Sequence, residues 1–84
     1  MPKPEKLHVV IVSVERTLYD GLVERLFVPG EKGRFEVLKN HASIISTLIP
    51  GSVVCEGENA FEISISGGFV EVKDNEVTLC VETL

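Results

Sequence analysis

The sequence predicts an all-β fold, an antiparallel sandwich or small barrel, on three observations. Apolar and polar residues alternate with period two, most plainly at Phe61, Ile63, Ile65 and again at Val77, Leu79, Val81, as in strands with one face on a core. Asp20-Gly21, Pro29-Gly30, Pro50-Gly51, Gly57-Glu58-Asn59 and Asp74-Asn75 punctuate the chain at short intervals, and these are turn residues. A length of 84 residues holds one small domain and leaves little room for a deep catalytic cleft.

Leu7 to Ser13 is rich in β-branched residues, which suit a pleated surface and lose rotamer freedom in a helix, and reads as the first strand. From Val14 to Phe27, Val14, Leu18, Leu22 and Leu26 recur every four residues, as on one side of a helix. Asp20-Gly21 stands against that reading: a mid-helix glycine costs about 1 kcal/mol relative to alanine, and Asp-Gly favours a hairpin turn. The stretch is expected to run strand, turn, strand. Pro29, Gly30 and Gly33 then bracket a charged loop, Phe35 and Val37 alternate with Arg34 and Glu36, and Pro50-Gly51 ends the run Ile44 to Ile49. Ser52 to Glu56 and Ala60 to Ser66 read as a hairpin about Gly57-Glu58-Asn59. The strand carrying Val70 and Val72 turns at Asp74-Asn75 into the last one.

Charge excludes one class of partner. With 8 Lys and Arg against 13 Asp and Glu, a formal net charge of −5, the chain lacks the basic stripe that a phosphate backbone requires, so no nucleic acid is expected. The longest apolar run, Val9 to Val12, is far below the roughly 20 residues of a membrane helix. Met1 to Lys6 is charged and proline-containing, with no apolar stretch or cleavage site behind it, so no signal peptide is expected and the cytoplasm is the default location. Cys55 and Cys80 lack CxxC spacing and have only His8 and His41 as possible co-ligands. They read as free thiols serving as small apolar residues, with no metal and no cofactor.

Three segments carry a more specific signal. Pro29-Gly30-Glu31-Lys32-Gly33-Arg34-Phe35-Glu36-Val37-Leu38 is followed by Asn40-His41-Ala42-Ser43-Ile44-Ile45 and then by Leu48-Ile49-Pro50-Gly51. Ser66-Gly67-Gly68-Phe69-Val70-Glu71-Val72 comes later, with Asn75 to Leu79 after it, and Leu18-Tyr19-Asp20-Gly21 lies upstream. In order and spacing these segments resemble the epsilon subunit of F-type ATP synthases, from about Leu7 to the end of the chain. Glu36 stands where that family usually has glycine, and Ser43 where it usually has proline.

The resemblance implies a flattened β-sandwich of about ten strands at the foot of a rotary central stalk. There it would grip the gamma subunit, touch the polar loops of the membrane c-ring and transmit torque without chemistry of its own. It implies a peripheral location on the cytoplasmic side of an energy-transducing membrane, within a complex. Most bacterial members continue into a C-terminal helical hairpin that restrains ATP hydrolysis. Residues 1–84 leave no place for it after the last strand, so one domain, monomeric in isolation, is expected.

Site residues follow from the same resemblance. Glu31, Lys32, Gly33 and Arg34 are the loop that would meet the c-ring; from composition alone they are a solvated turn. His41, Ser43, Gly67, Gly68, Phe69 and Cys80 are the candidates for gamma contact. Phe69 and Cys80 lie opposite the apolar triplets of their strands, so they form either an outward docking patch or part of a two-sided core. His41 and Ser43, two positions apart, lack an acid placed to orient the ring and a G-x-S-x-G elbow, so no catalytic residue is assigned. The alternatives are a free-standing binding or carrier module presenting Lys73 beside its turn, and a small hydrolase or metal enzyme built on His41, His8 or the cysteines.

Overall fold

The computed structural model describes residues 6–84; the first five, part of the segment expected to hold no signal peptide, lie outside them. Eight strands account for the fold: β1 (Leu7–Val12), β2 (Thr17–Val23), β3 (Arg25–Gly30), β4 (Gly33–Leu38), β5 (Ile44–Leu48), β6 (Gly51–Glu56), β7 (Phe61–Lys73) and β8 (Glu76–Thr83). The class is the expected all-β one; eight strands replace about ten. Part of the difference is that the two runs expected on either side of Ser66 are one strand, β7, of 13 residues.

That long strand builds both layers. Its first half, Phe61 to Ile65, pairs with β6, which pairs in turn with β3 and through it β4. Its second half, Gly68 to Val72, lies between β5 and β8, and β8 continues through β1 to β2. Pairs are antiparallel except β1 with β8, which run parallel. A single bridge from Gly30 of β3 to Leu48 of β5 closes the two layers at one corner. Between them Leu7, Val9, Ile11, Val70, Val72, Val77 and Leu79 of one layer meet Leu26, Val28, Val37, Val53, Cys55 and Ile65 of the other, all essentially inaccessible. Tyr19 of β2 stacks on Phe61 of β7, with ring centroids 4.7 Å apart.

The Asp20-Gly21 expectation is overturned. Both residues lie inside β2, paired with Val10 and Val9, and the reversal comes earlier, at residues 13–16. There Ser13 Oγ accepts hydrogen bonds from the Glu15 and Arg16 amides at 3.3 Å, and the Ser13 amide donates to the Arg16 carbonyl at 2.9 Å. Gly21 is used for space instead: a Cβ there would lie 2.7 Å from Tyr19 Oη, so the tyrosine ring folds over the glycine. The four-residue stripe is no single face, since Val14 is 99% exposed while Leu26 is buried. Asp74-Asn75 does form a two-residue hairpin, with φ of 52° and 64°, the left-handed pair that matches strand twist.

Gly68 holds the bend of β7. Its φ is 146°, and a Cβ would fall on the Cys80 carbonyl oxygen, so only glycine fits. Gly67 meets nothing closer than the Leu48 carbonyl at 3.8 Å. Gly68→Ala is therefore expected to destabilise the domain by at least about 1–3 kcal/mol, and Gly67→Ala to stay within about 0.5 kcal/mol. Denaturant unfolding of the two variants measures the contrast, and equal losses would contradict it.

Candidate functional site

The β3–β4 hairpin divides the four residues of the charged loop. Glu31 and Lys32 are the exposed turn, and Gly33, with φ of 128°, re-enters the ladder opposite Gly30. Arg34 does not join the tip. It folds over the second layer, with Cζ 5.9 Å from the centre of the Phe27 ring and Nη1 donating to the Ser52 carbonyl at 2.8 Å. The turn is hitched to β5: the Glu31 amide donates to the Thr47 carbonyl at 3.1 Å, and the Ile49 amide to the Pro29 carbonyl at 2.9 Å. A groove of about 520 Å³ lies between hairpin and strand, with Glu31, Phe35, Ile45 and Thr47 among its walls.

Phe69 and Cys80 are direct cross-strand neighbours on the outer face of the first layer. Phe69 is 47% exposed, which excludes a two-sided core at this point and leaves the face open to solvent. The register extends this pair into a row, Val12–Cys80–Phe69–Thr47, across β1, β8, β7 and β5. Thr47 then carries the Glu31 amide, so the row runs into the charged turn. Strand spacing of about 4.8 Å puts Phe69 and Glu31 about 10 Å apart. Val14 closes the other end beside Val12, over a shallow cleft of about 270 Å³.

The remaining candidates lie elsewhere or act internally. Gly68 gives its space to the β8 backbone and presents no side chain outward. His41 and Ser43 sit in the link between β4 and β5, and Ser43 is four residues along β5 from Thr47, or about 13 Å. The His41 amide donates to the Leu38 carbonyl at 3.1 Å. Its Nδ1 lies 2.8 Å from the Ala42 carbonyl oxygen; a carbonyl only accepts, so Nδ1 carries the proton. The link is tied down by Asn40 and Asn75, which exchange hydrogen bonds between it and the β7–β8 turn.

Sequence reasoning gave Ile45 and Val14 no surface role and weighed His8 only as a metal or hydrolase candidate. Ile45 is 71% exposed and lies across from Glu71; adjacent strand residues point to opposite faces, so its place next to Ile44 was the available signal. His8 sits between Asp20 and Glu76, contacts that join residues 12 and 68 positions away and leave no local trace. Among the described residues no group of His, Cys, Asp and Glu is disposed to hold a metal, and no helix is long and apolar enough to cross a membrane.

The fold is an all-β sandwich with an apolar row on one outer face and a charged turn at its end. A family profile described as "ATP synthase, Delta/Epsilon chain, beta-sandwich domain" matches residues 6–84, and the chain belongs to that family. The "ATP synthase epsilon chain" of Leptospira borgpetersenii is 45% identical over 92% of this chain and 61% of its own length. That of Caulobacter vibrioides is 40% identical over 92% of this chain and 91% of its own. The chain thus spans about three fifths of the Leptospira relative and nearly all of the Caulobacter one. In fold it matches a chain of the Euglena gracilis mitochondrial ATP synthase with a TM-score of 0.84, at 22% identity over 96% of this chain and 53% of that one. A chain of the Tetrahymena thermophila mitochondrial ATP synthase central stalk and c-ring gives 0.76, at 19% identity over 96% and 66%.

The two thiols differ sharply. Burial pushes the Cys55 thiol up from its ordinary 9.0 to about 11, which leaves about a hundredfold less of the reactive thiolate at a given pH. Cys80 is half-buried on the outer face. A thiol reagent at pH 8 is expected to modify Cys80 on the folded chain and spare Cys55, and to modify both in denaturant, as read by intact mass. Rapid native labelling at Cys55 would contradict the core assignment.

Proposed function

We propose that the chain serves as the rotor-stalk domain of an F-type ATP synthase, joining the gamma subunit to the c-ring and coupling ion transport to ATP synthesis without catalysis of its own. Residues 1–84 form a single domain, monomeric when isolated, that is peripheral to the membrane on its cytoplasmic side and held there by the complex. The names of its relatives support the assignment, and so does the appearance of its fold in a central stalk. The observation that carries the reading is the exposed row Val12–Cys80–Phe69–Thr47 continuing into the Glu31-Lys32 turn.

In this reading the apolar part of the row takes gamma, and the turn takes the c-ring, on one end of the domain. An aromatic side chain amid apolar neighbours is the usual anchor of an interface. The tip contributes less, since exposed charge pairs are each worth about 0–1 kcal/mol. Its gain comes from being held to gamma at the same time. His41 and Ser43, at the far end of β5, extend the gamma contact if that subunit lies along the strand. The carrier alternative has no support from the family, and Lys73 stands across from Glu76.

Titration of the chain with purified cognate gamma subunit tests this. Saturable one-to-one binding is expected, weakened at least about tenfold by Phe69→Glu and unchanged by Glu31→Ala with Lys32→Ala. Absence of binding to folded gamma, or equal effects of both variants, would overturn the assignment of faces.

A further inference from the structure

His8 lies at the other end of the outer face, two residues up β1 from Val10. Its Nε2 is 2.8 Å from Asp20 Oδ1 on β2, and its Nδ1 is 2.6 Å from Glu76 Oε2 on β8. A neutral imidazole has one N–H and one lone pair, whereas an ionised carboxylate only accepts. Both contacts can therefore hold together only when the ring carries two protons. Deprotonation turns a lone pair toward one carboxylate, and that contact becomes repulsive.

The neighbours on every adjoining element are few. From β2 the ring faces Asp20, and from β8 Glu76, which stands across from Lys73 of β7. The β7–β8 turn adds Asp74, and Asn75, whose carbonyl accepts the His8 amide at 3.0 Å. Lys6 precedes the strand and is itself paired with Glu58 at 3.2 Å. The carboxylates thus outnumber the cations facing the ring, and the one lysine beside it on its own segment is engaged elsewhere.

The site also occupies a mechanical position. β2 is an end of the strand order, so one side of its backbone has no ladder partner. It is held by β1, by the Tyr19–Phe61 stack, and by Asn59 Nδ2, which donates to the Leu22 carbonyl at 2.9 Å. A charged His8 adds a link from β2 across β1 to β8, three adjacent strands on one face.

We propose that His8, Asp20 and Glu76 form a proton-operated staple that fastens the edge strand β2 to the β1–β8 pair when the imidazole is charged and releases it when the proton leaves. The staple holds in mildly acidic solution and opens as the medium becomes alkaline. Opening frees the β2 end of the sheet and makes this end of the domain one charge more negative.

The sign agrees with the surroundings of the ring. Its hydrogen bond to Asp20, then that to Glu76, raise the His8 pKa above its ordinary 6.5, outweighing the opposing effect of desolvation. The stabilisation is complete below pH 6.5 and is lost as pH rises through the folded value.

Two measurements on the chain test the staple. A proton NMR titration should place the His8 midpoint above 6.5 and lower it in both Asp20→Asn and Glu76→Gln. Amide hydrogen exchange, corrected for intrinsic rates, should show β2 losing protection between pH 6 and pH 8.5 relative to the β7–β8 hairpin. The expected loss is up to about tenfold for each unit by which the His8 midpoint exceeds 6.5. The loss should vanish in His8→Gln; should that variant not fold, Asp20→Asn on the exposed edge strand replaces it and should reduce the loss. A His8 midpoint at or below 6.5, β2 protection independent of pH in the parent chain, or the same pH dependence without the imidazole would each overturn the proposal.

Discussion

The whole domain depends on one strand belonging to two sheets. Side chains along a strand alternate with a period of two, so a shift of one residue exchanges the buried and exposed faces. In β7 the core-facing set is odd-numbered at first, with Phe61 and Ile63 partly buried and Ile65 buried, and even-numbered afterwards, Val70 and Val72. The change of phase is absorbed between Ile65 and Gly67, where one step along β8, from Thr83 to Glu82, answers two along β7. The inserted residue is Ser66, a bulge that bends the strand. Gly68 then brings the backbone against the Cys80 carbonyl as no other residue could. Without this corner the apolar triplet and the apolar pair would belong to different faces of a flat sheet and could not share a core.

That change of phase was legible. Odd-to-even alternation around Ser66-Gly67-Gly68 is written in the residues, as are the Asp74-Asn75 reversal and the burial of Val77, Leu79 and Val81. Local turn propensity was misleading where a tertiary contact outranks it: Asp-Gly is a good turn, yet Gly21 is needed flat beneath Tyr19 and opposite Val9. Pro29-Gly30 shows the same conflict, since it lies within β3 and the reversal takes only Glu31 and Lys32. Turn residues mark where the chain is able to reverse, and packing selects among those places.

The candidate surface was less legible than the fold for a geometric reason. Alternation put Phe69 and Cys80 on the face opposite their apolar neighbours, but only the 47% exposure of Phe69 shows that this face is not a second core. That Val12 joins them depends on the parallel pairing of β1 with β8, between residues 68 positions apart, which no local pattern encodes. Thr47 enters through the register of β5, and Arg34 leaves the loop because Phe27 and the Ser52 carbonyl offer it a better position. Family resemblance named several of these residues; only the pairing shows that Phe69 and Glu31 are close, and that His41 and Ser43 are not with them.

The distribution of charge sets the apolar row apart from the rest of the surface. Arg25 reaches Glu36 and Glu56 at 3.9 and 3.5 Å, and Lys6 reaches Glu58, so several cations are engaged within the domain. β4, the other end of the strand order, carries Arg34 and Glu36, charges of the kind that discourage edge-to-edge pairing. The row from Val12 to Thr47 has no charged member; its own charge begins at the Glu31-Lys32 turn. An apolar strip on a domain of net charge −5 repels anionic surfaces such as phosphate backbones and acidic lipids at long range. It still offers a protein partner a site that costs little desolvation. In the proposed role the acidic balance would narrow the choice of partner, and the exposed aromatic would supply the contact.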